Sequence, residues 1–335
     1  ELLSRETMRT YKNNREPTNV FAKGIIMRKV VASLILIIFT CVANADFPHT
    51  YIDQHPLKTV IANNIEISYR EIGQKENPKV LMIMGLGASN RVHGDNLVRG
   101  IEQAGYHVLI FDNRDTGGST RFNDWGQPTI WLQLLKNRLG LRVNTPYTLD
   151  DMAADTVGLM DAVDYKDAHV VGFSMGGMIA QKVAAQYPER VRSLTSVMST
   201  TGANHLPKPT KEARKALASL ASGAAADERA KALSERGFYL DSMPRQYMAI
   251  LDAGDRTEET STIKVRTLVI HGAEDSLIPP LHGQHTAEVI KDSELVIFPV
   301  MGHNIPDEVL PKLLSQITSH MKSIDLFGRQ REPQY

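Results

Sequence analysis

Ser174 lies in Gly172-Phe173-Ser174-Met175-Gly176, a Gly-x-Ser-x-Gly pattern placed where an apolar run gives way to a helical one. In a strand-to-helix turn of that tightness only glycine fits on either side, and the serine hydroxyl is pushed out above the sheet. A serine hydroxyl at neutral pH is a poor nucleophile without an adjacent base. Among eleven histidines, His303 in Met301-Gly302-His303-Asn304 directly follows the last strand-like run and precedes the final helical pattern. That loop belongs to the carboxyl edge of the sheet, where Ser174 also emerges. A carboxylate must then fix the imidazole tautomer and stabilise the imidazolium. Asp275 follows a strand end in Gly272-Ala273-Glu274-Asp275, and the Gly-x-x-Asp spacing favours it over the adjacent Glu274. His271 is expected to be a packed strand residue and His205, His282 and His285 surface or cap residues; His93 is left unassigned. Acyl transfer also needs two amide donors for the developing oxyanion. The backbone N–H groups of Met175 and of Leu86, in Gly85-Leu86-Gly87, are the candidates.

These residues need a frame that delivers strand ends to one edge. Residues 59–72 read as two short strands meeting at Asn63-Asn64, with Ile65, Ile67 and Tyr69 alternating against polar neighbours. Apolar runs at 79–84 and 107–111 read as buried strands, and 168–172, 194–198, 267–270 and 295–298 complete the set. Thr148-Leu149-Asp150-Asp151 resembles a helix-start box, and Met152, Val157, Met160 and Val163 continue it as an apolar face. Helical patterns also cover 178–186, 284–290 and 308–321. Strands alternating with helices imply a mostly parallel sheet of eight strands with helices on both faces. Two stretches break the rhythm, 121–146 and 200–263, and both read as additions covering one edge of the sheet. The second is dense in charge and alanine, with helical stretches near 211–225 and 228–237, and is expected to form a helical cap over a bounded pocket. The first offers Trp125, Trp131, Leu132, Leu134 and Leu135, which are expected either to line that pocket, to form a small lid or to be plain packing.

Composition excludes other classes. Hydrophobic residues make up 42% and charged residues 23%, an ordinary globular balance that rules out a disordered or collagen-like chain. Lys plus Arg equals Asp plus Glu at 38 each, so there is no basic stripe for nucleic acid. The single cysteine, Cys41, can form neither an intrachain disulfide nor a Cys-rich zinc site. The first 45 residues hold seven basic and three acidic side chains, a net +4 that leaves −4 on the rest. Within them Met27-Arg28-Lys29, an apolar run at 30–39 and Ala43-Asn44-Ala45 make the three parts of a secretory signal peptide. The run is too short for a membrane span. The expected organisation is a non-native or upstream-translated leader at 1–26, a signal peptide at 27–45, a core at 46–199 and 264–325, and the cap at 200–263. A secreted or periplasmic bacterial protein without a stable membrane anchor follows from that reading.

From about Val60 to Met321 the chain resembles the α/β-hydrolase superfamily, and within it bacterial serine esterases of the aclacinomycin methylesterase-like group. The resemblance rests on Ile83-Met84-Gly85-Leu86-Gly87, Phe111-Asp112-Asn113-Arg114-Asp115-Thr116-Gly117-Gly118-Ser119, Gly172-Phe173-Ser174-Met175-Gly176-Gly177 and Gly302-His303. It implies an α/β-hydrolase fold, and it implies that residues 112–119 brace the loops around the elbow. The usual His-Gly of the oxyanion loop is Met84-Gly85 here. The triad order Ser174, Asp275, His303 is that of the superfamily. The expected activity is that of a serine carboxylesterase on short to medium acyl esters, working through an acyl-enzyme with no metal or organic cofactor. The same triad also serves a lipase, a C–C bond hydrolase or a cofactor-free perhydrolase, and a non-catalytic ligand-binding member of the fold is the alternative outside enzymes. The partner is a small-molecule ester; the oligomeric state is not readable from sequence.

Overall fold

A strand buried on both faces needs apolar residues at every position, whereas a half-buried one alternates. The structure, a computed structural model, describes residues 50–215 and 228–328. The leader expected at 1–26, the signal-peptide pattern at 27–45 and residues 216–225 of the expected cap helix lie outside the described residues.

The chain begins with helix α1 (Thr50–Asp53), then strands β1 (Lys58–Ala62), β2 (Ile65–Ile72) and β3 (Lys79–Ile83). Helix α2 (Asp95–Gln103), β4 (His107–Phe111), α3 (Ile130–Arg138) and α4 (Leu149–Ala162) follow. Next come β5 (Ala168–Phe173), α5 (Met175–Gln186) and β6 (Val191–Val197). Helices α6 (Glu228–Glu235), α7 (Met243–Ala253) and α8 (Thr257–Ser261) separate β6 from β7 (Thr267–Gly272). The chain closes with α9 (Leu281–Val289), β8 (Glu294–Phe298) and α10 (Leu310–Phe327). The eight strands form one sheet in the order β1-β2-β4-β3-β5-β6-β7-β8. Only β2 opposes its neighbours: it pairs antiparallel with β1 and β4, and every other pairing is parallel.

Alternate residues of the inner strands enter two cores. Val80, Met82, Val108 and Ile110 pack on one face with Leu97, Val98 and Ile101 of α2 and Leu313, Ile317 and Met321 of α10. Leu81, Ile83, Leu109 and Phe111 pack on the other with Met152, Leu159 and Met160 of α4 and Ile179 and Val183 of α5. The β1–β2 hairpin turns at Asn63 and Asn64, both at positive φ (47° and 63°), as a two-residue primed turn requires. Thr148 caps α4 with a reciprocal box: its Oγ1 accepts from Asp151 N at 3.1 Å, and Asp151 Oδ2 accepts from Thr148 N at 2.7 Å.

The helices differ from the sequence reading in existence and in bounds. Helix α2 is not among the helical patterns read from the sequence; its buried face is Leu97, Val98 and Ile101. Helix α5 starts at Met175 rather than 178, because Gly176 and Gly177 are helical where the helix presses on the strands. Helix α10 continues past Met321 to Phe327.

Candidate active site

Ser174 follows β5 and caps α5 at φ +55°, ψ −119°, a conformation that a residue with a side chain holds only under local strain. The surroundings enforce it. Ser174 N donates to Val197 O at 2.9 Å, and Ser174 O accepts from Gly177 N at 2.9 Å. A Cβ on Gly172 would lie 2.2 Å from Gly176 O, and one on Gly176 would lie 2.1 Å from Ile83 O. Both glycines of the motif are therefore demanded by contact between strand and helix.

The loops after β7 and β8 bring Asp275 and His303 to this hydroxyl. His303 Nε2 stands 2.9 Å from Ser174 Oγ, and His303 Nδ1 stands 2.7 Å from Asp275 Oδ2. Asp275 Oδ1 accepts from the amides of Leu277 and Ile278 at 2.9 and 2.8 Å. Burial pushes the Asp275 carboxyl up, but the facing His303, hydrogen bonds from His271 and His303 and the Ile278 amide outweigh it and hold it well below the usual carboxylate range. An ionised carboxylate only accepts, so Nδ1 of His303 carries the proton and Nε2 is left to accept from the serine. The alternative acid, Glu274, is exposed.

His271 is the packed strand residue expected, fully buried, yet it also touches this group. Its Nε2 donates to Ile278 O at 2.7 Å and lies 3.5 Å from Asp275 Oδ2. The reading of His282 and His285 as surface or cap residues needs correction. Both are partly buried, with Nδ1 at 2.6 Å from Thr200 Oγ1 and 3.0 Å from Thr201 Oγ1 respectively, and His282 borders the cavity described below. His205 is exposed, its ring edge-on to that of His285. His93 is fully buried, edge-on to Phe173.

A cavity of about 260 Å³ opens on Ser174 and His303. Met84, Phe173, Met178, Met198 and Ile305 form its floor from the sheet side, and Phe238, Met243, Tyr247 and Ile250 roof it from the segment between β6 and β7. Leu86 and Met175 both border it. Met175 is the first residue of α5, so its N–H is one that the helix leaves without an internal partner. Gly85 is pressed so close that a Cβ there would meet Ser174 Cβ at 3.2 Å. Gly87, at φ +67°, gives its amide to Gln246 Oε1 at 2.6 Å, which anchors the Leu86 loop to α7.

Residues 112–119 tie these loops together. Asp112 accepts from Asn90 N at 2.6 Å, Ser68 Oγ at 2.5 Å and Gly118 N at 2.9 Å. Asn113 Nδ2 donates to Met84 O at 2.8 Å, and Arg114 grips Asp155 through two bonds of 2.6 Å. Asp115, fully buried, is gripped in turn by Arg245 Nε and Nη2 at 2.6 and 2.8 Å. Arg245 and Gln246 escape a reading of the sequence, because more than a hundred residues separate them from their partners. None of Trp125, Trp131, Leu132, Leu134 and Leu135 lines the cavity, and all five are exposed, from 37% for Leu132 to 68% for Trp131.

Comparison with known proteins agrees with this fold. The model of the alpha/beta hydrolase fold family matches residues 78–247, just over half of the chain. Rhodomycin D methylesterase DauP of Streptomyces sp. (strain C5) is 25% identical over 312 residues, covering 80% of this chain and 99% of its own. Among solved structures, the esterase RhEst1 from Rhodococcus sp. ECU1013 has a TM-score of 0.60 at 17% identity, covering 80% of this chain and 98% of its own. The meta-cleavage product hydrolase CumD from Pseudomonas fluorescens IP01 has a TM-score of 0.59 at 23% identity, covering 79% and 97%. With its family model, its sheet order and its elbow in agreement, the chain belongs to the α/β-hydrolase family.

Proposed function

We propose that the protein is a serine carboxylesterase that cleaves short to medium acyl esters through an acyl-enzyme. The observation that carries this reading is the hydrogen-bonded series Ser174, His303, Asp275 at the floor of an apolar cavity. Ser174 Oγ attacks the ester carbonyl while His303 Nε2 takes its proton. Asp275 keeps the imidazole oriented and stabilises the imidazolium. The amides of Leu86 and Met175 receive the oxyanion. His303 then protonates the departing alcohol, and water, activated by the same imidazole, releases the acid and restores the serine. The methylesterase relative supports an ester rather than another acyl substrate. The signal-peptide pattern at 27–45 supports action outside the cytoplasm.

The cavity wall supports an apolar acyl group of limited length. Each methylene buried gains roughly 0.8 kcal/mol until the space is full, after which further carbons gain nothing or clash. Rates on p-nitrophenyl esters should rise and then fall with acyl length, peaking between about four and eight carbons. A fluorophosphonate probe should leave one adduct, on Ser174, by peptide mass spectrometry. An unlabelled Ser174 would remove the serine mechanism. Fast hydrolysis of emulsified triolein with a rate jump at the onset of micelles would replace the bounded-pocket reading by a lipase.

A further inference from the structure

Helix α3 is amphipathic in the wrong sense for a globular surface. Its uncharged polar residues bond inward: Gln133 is 5% exposed and its Oε1 accepts from Asn144 N at 3.0 Å, while Asn137, though itself exposed, donates through Nδ2 to Leu251 O of α7 at 3.0 Å. Its apolar residues face outward: Trp131 is 68% exposed, Leu134 43% and Leu135 46%. The chain beyond the helix extends the same character, with Leu139 at 63% and Leu141 at 56%. These last two are held in place. Leu141 N donates to Lys136 O at 2.9 Å and Gly140 N to Asn137 O at 3.0 Å, with Gly140 at φ +67°, which is a Schellman cap folding the chain back on the helix end. A contiguous, ordered apolar platform of this kind marks a binding surface.

Charge selects the occupant. From residue 126 to residue 147 the chain has no Asp or Glu, and its charged side chains are Lys136, Arg138 and Arg142. Arg138 and Arg142 are exposed beside the leucines. A second copy docked on the same face would bring these like charges together. Tryptophan and leucine ringed by arginine and lysine instead match the acyl boundary and the headgroups of a negatively charged bilayer.

We propose that the outward face of α3, with Trp131, Leu134, Leu135, Leu139 and Leu141 beside Arg138 and Arg142, docks the protein on an anionic phospholipid surface. Because α3 packs on α7, which lends Met243, Tyr247 and Ile250 to the cavity, docking brings the cavity roof to the bilayer. The inference concerns a peripheral contact and stands whether or not Ser174 is the nucleophile.

The full chain with Trp125→Phe retains Trp131 as its single tryptophan. Its emission should shift to the blue on vesicles of phosphatidylglycerol and phosphatidylcholine in equal parts, and brominated acyl chains should quench it. Arg138→Glu with Arg142→Glu should weaken that binding by about twentyfold or more, since each basic residue near such a surface is worth close to a factor of five. Trp131→Ser with Leu135→Ser in the parent chain should weaken vesicle pelleting by roughly tenfold, with thermal melting unchanged. Vesicle binding that leaves the Trp131 emission in place would overturn the proposal. So would equal affinity for pure phosphatidylcholine, or a blue shift that grows with protein concentration in the absence of lipid, which would assign the face to a second copy.

Discussion

In the proposed mechanism Ser174 Oγ gives its proton to His303 while Asp275 orients the imidazole and stabilises the imidazolium, so removing any of the three disables the others' contribution. Ser174→Ala and His303→Ala are expected to lower kcat/KM on p-nitrophenyl butyrate by about four orders of magnitude or more, with circular dichroism unchanged. Asp275→Asn keeps the shape of the carboxylate but loses its charge and favours the wrong imidazole tautomer, and should cost about three to four orders. The amides of Leu277 and Ile278 hold that side chain in place in either form through Oδ1, so the loss is one of charge and not of position. Parent-like rates in Asp275→Asn would move the acid to another group, and the exposed Glu274 is badly placed to take it.

Between elements, the most deeply buried arginine–carboxylate pair among the described residues is Arg245 of α7 on Asp115 of the loop after β4, both side chains being at most 1% exposed. Tyr147 adds its hydroxyl to the same carboxylate at 2.8 Å. Arg245→Met would leave a buried carboxylate with the Tyr147 hydroxyl, the Phe122 amide at 3.0 Å and the more distant Arg121, whose Nε is 3.6 Å away. The expected cost is about 3 kcal/mol or more in urea unfolding, most of it regained when Asp115→Asn is added. Since α7 roofs the cavity, the single variant should also accept longer acyl chains than the parent. A cost under about 1 kcal/mol with unchanged chain-length preference would mean that α7 is held by its apolar contacts alone.

Over the whole molecule, buried histidines set the response to acid. Burial pushes His93 down to about 3, against a smaller upward pull from the Met82 backbone, and burial pushes His320 down to about 4. Both are neutral in the folded protein and titrate near 6.5 once unfolded. Below that value the unfolded chain binds more protons, so stability is complete above about pH 6.5 and falls as the pH drops toward the folded values. Each unit below about 6.5 costs roughly 1.4 kcal/mol per histidine, so the pair should lose on the order of 4 kcal/mol between pH 6.5 and 5. Asp275, held low in the fold, adds a loss of the same sign only below its unfolded value of about 4. Denaturant melts at pH 7 and 5 measure this, and His93→Leu should reduce the slope, with His320 and the likewise lowered His107 and His282 supplying the rest. Equal stability at the two values would mean that these rings charge without unfolding.

Local chemistry and period sufficed for much of this protein. The apolar runs of β3 and β4, the Asn63-Asn64 turn, the Thr148 cap and the glycines flanking Ser174 each report a constraint that acts within a few residues, and such constraints are written in adjacent letters. The chain order Ser174, Asp275, His303 was legible for a related reason: each follows a strand end, and parallel strands deliver their ends to one edge. What could not be read there depends on which distant surfaces meet. The grip of Arg245 on Asp115, the anchoring of Gly87 by Gln246, the second contact of His271 on Asp275 and the place of His282 in the cavity wall join segments far apart in the chain, and no periodicity encodes such a pairing. The sense of α3 is the plainest case. Its spacing of tryptophan and leucine is compatible with a buried or an exposed face, and the side that turned outward was decided by polar bonds from Gln133 and Asn137, one of them reaching α7 more than a hundred residues later.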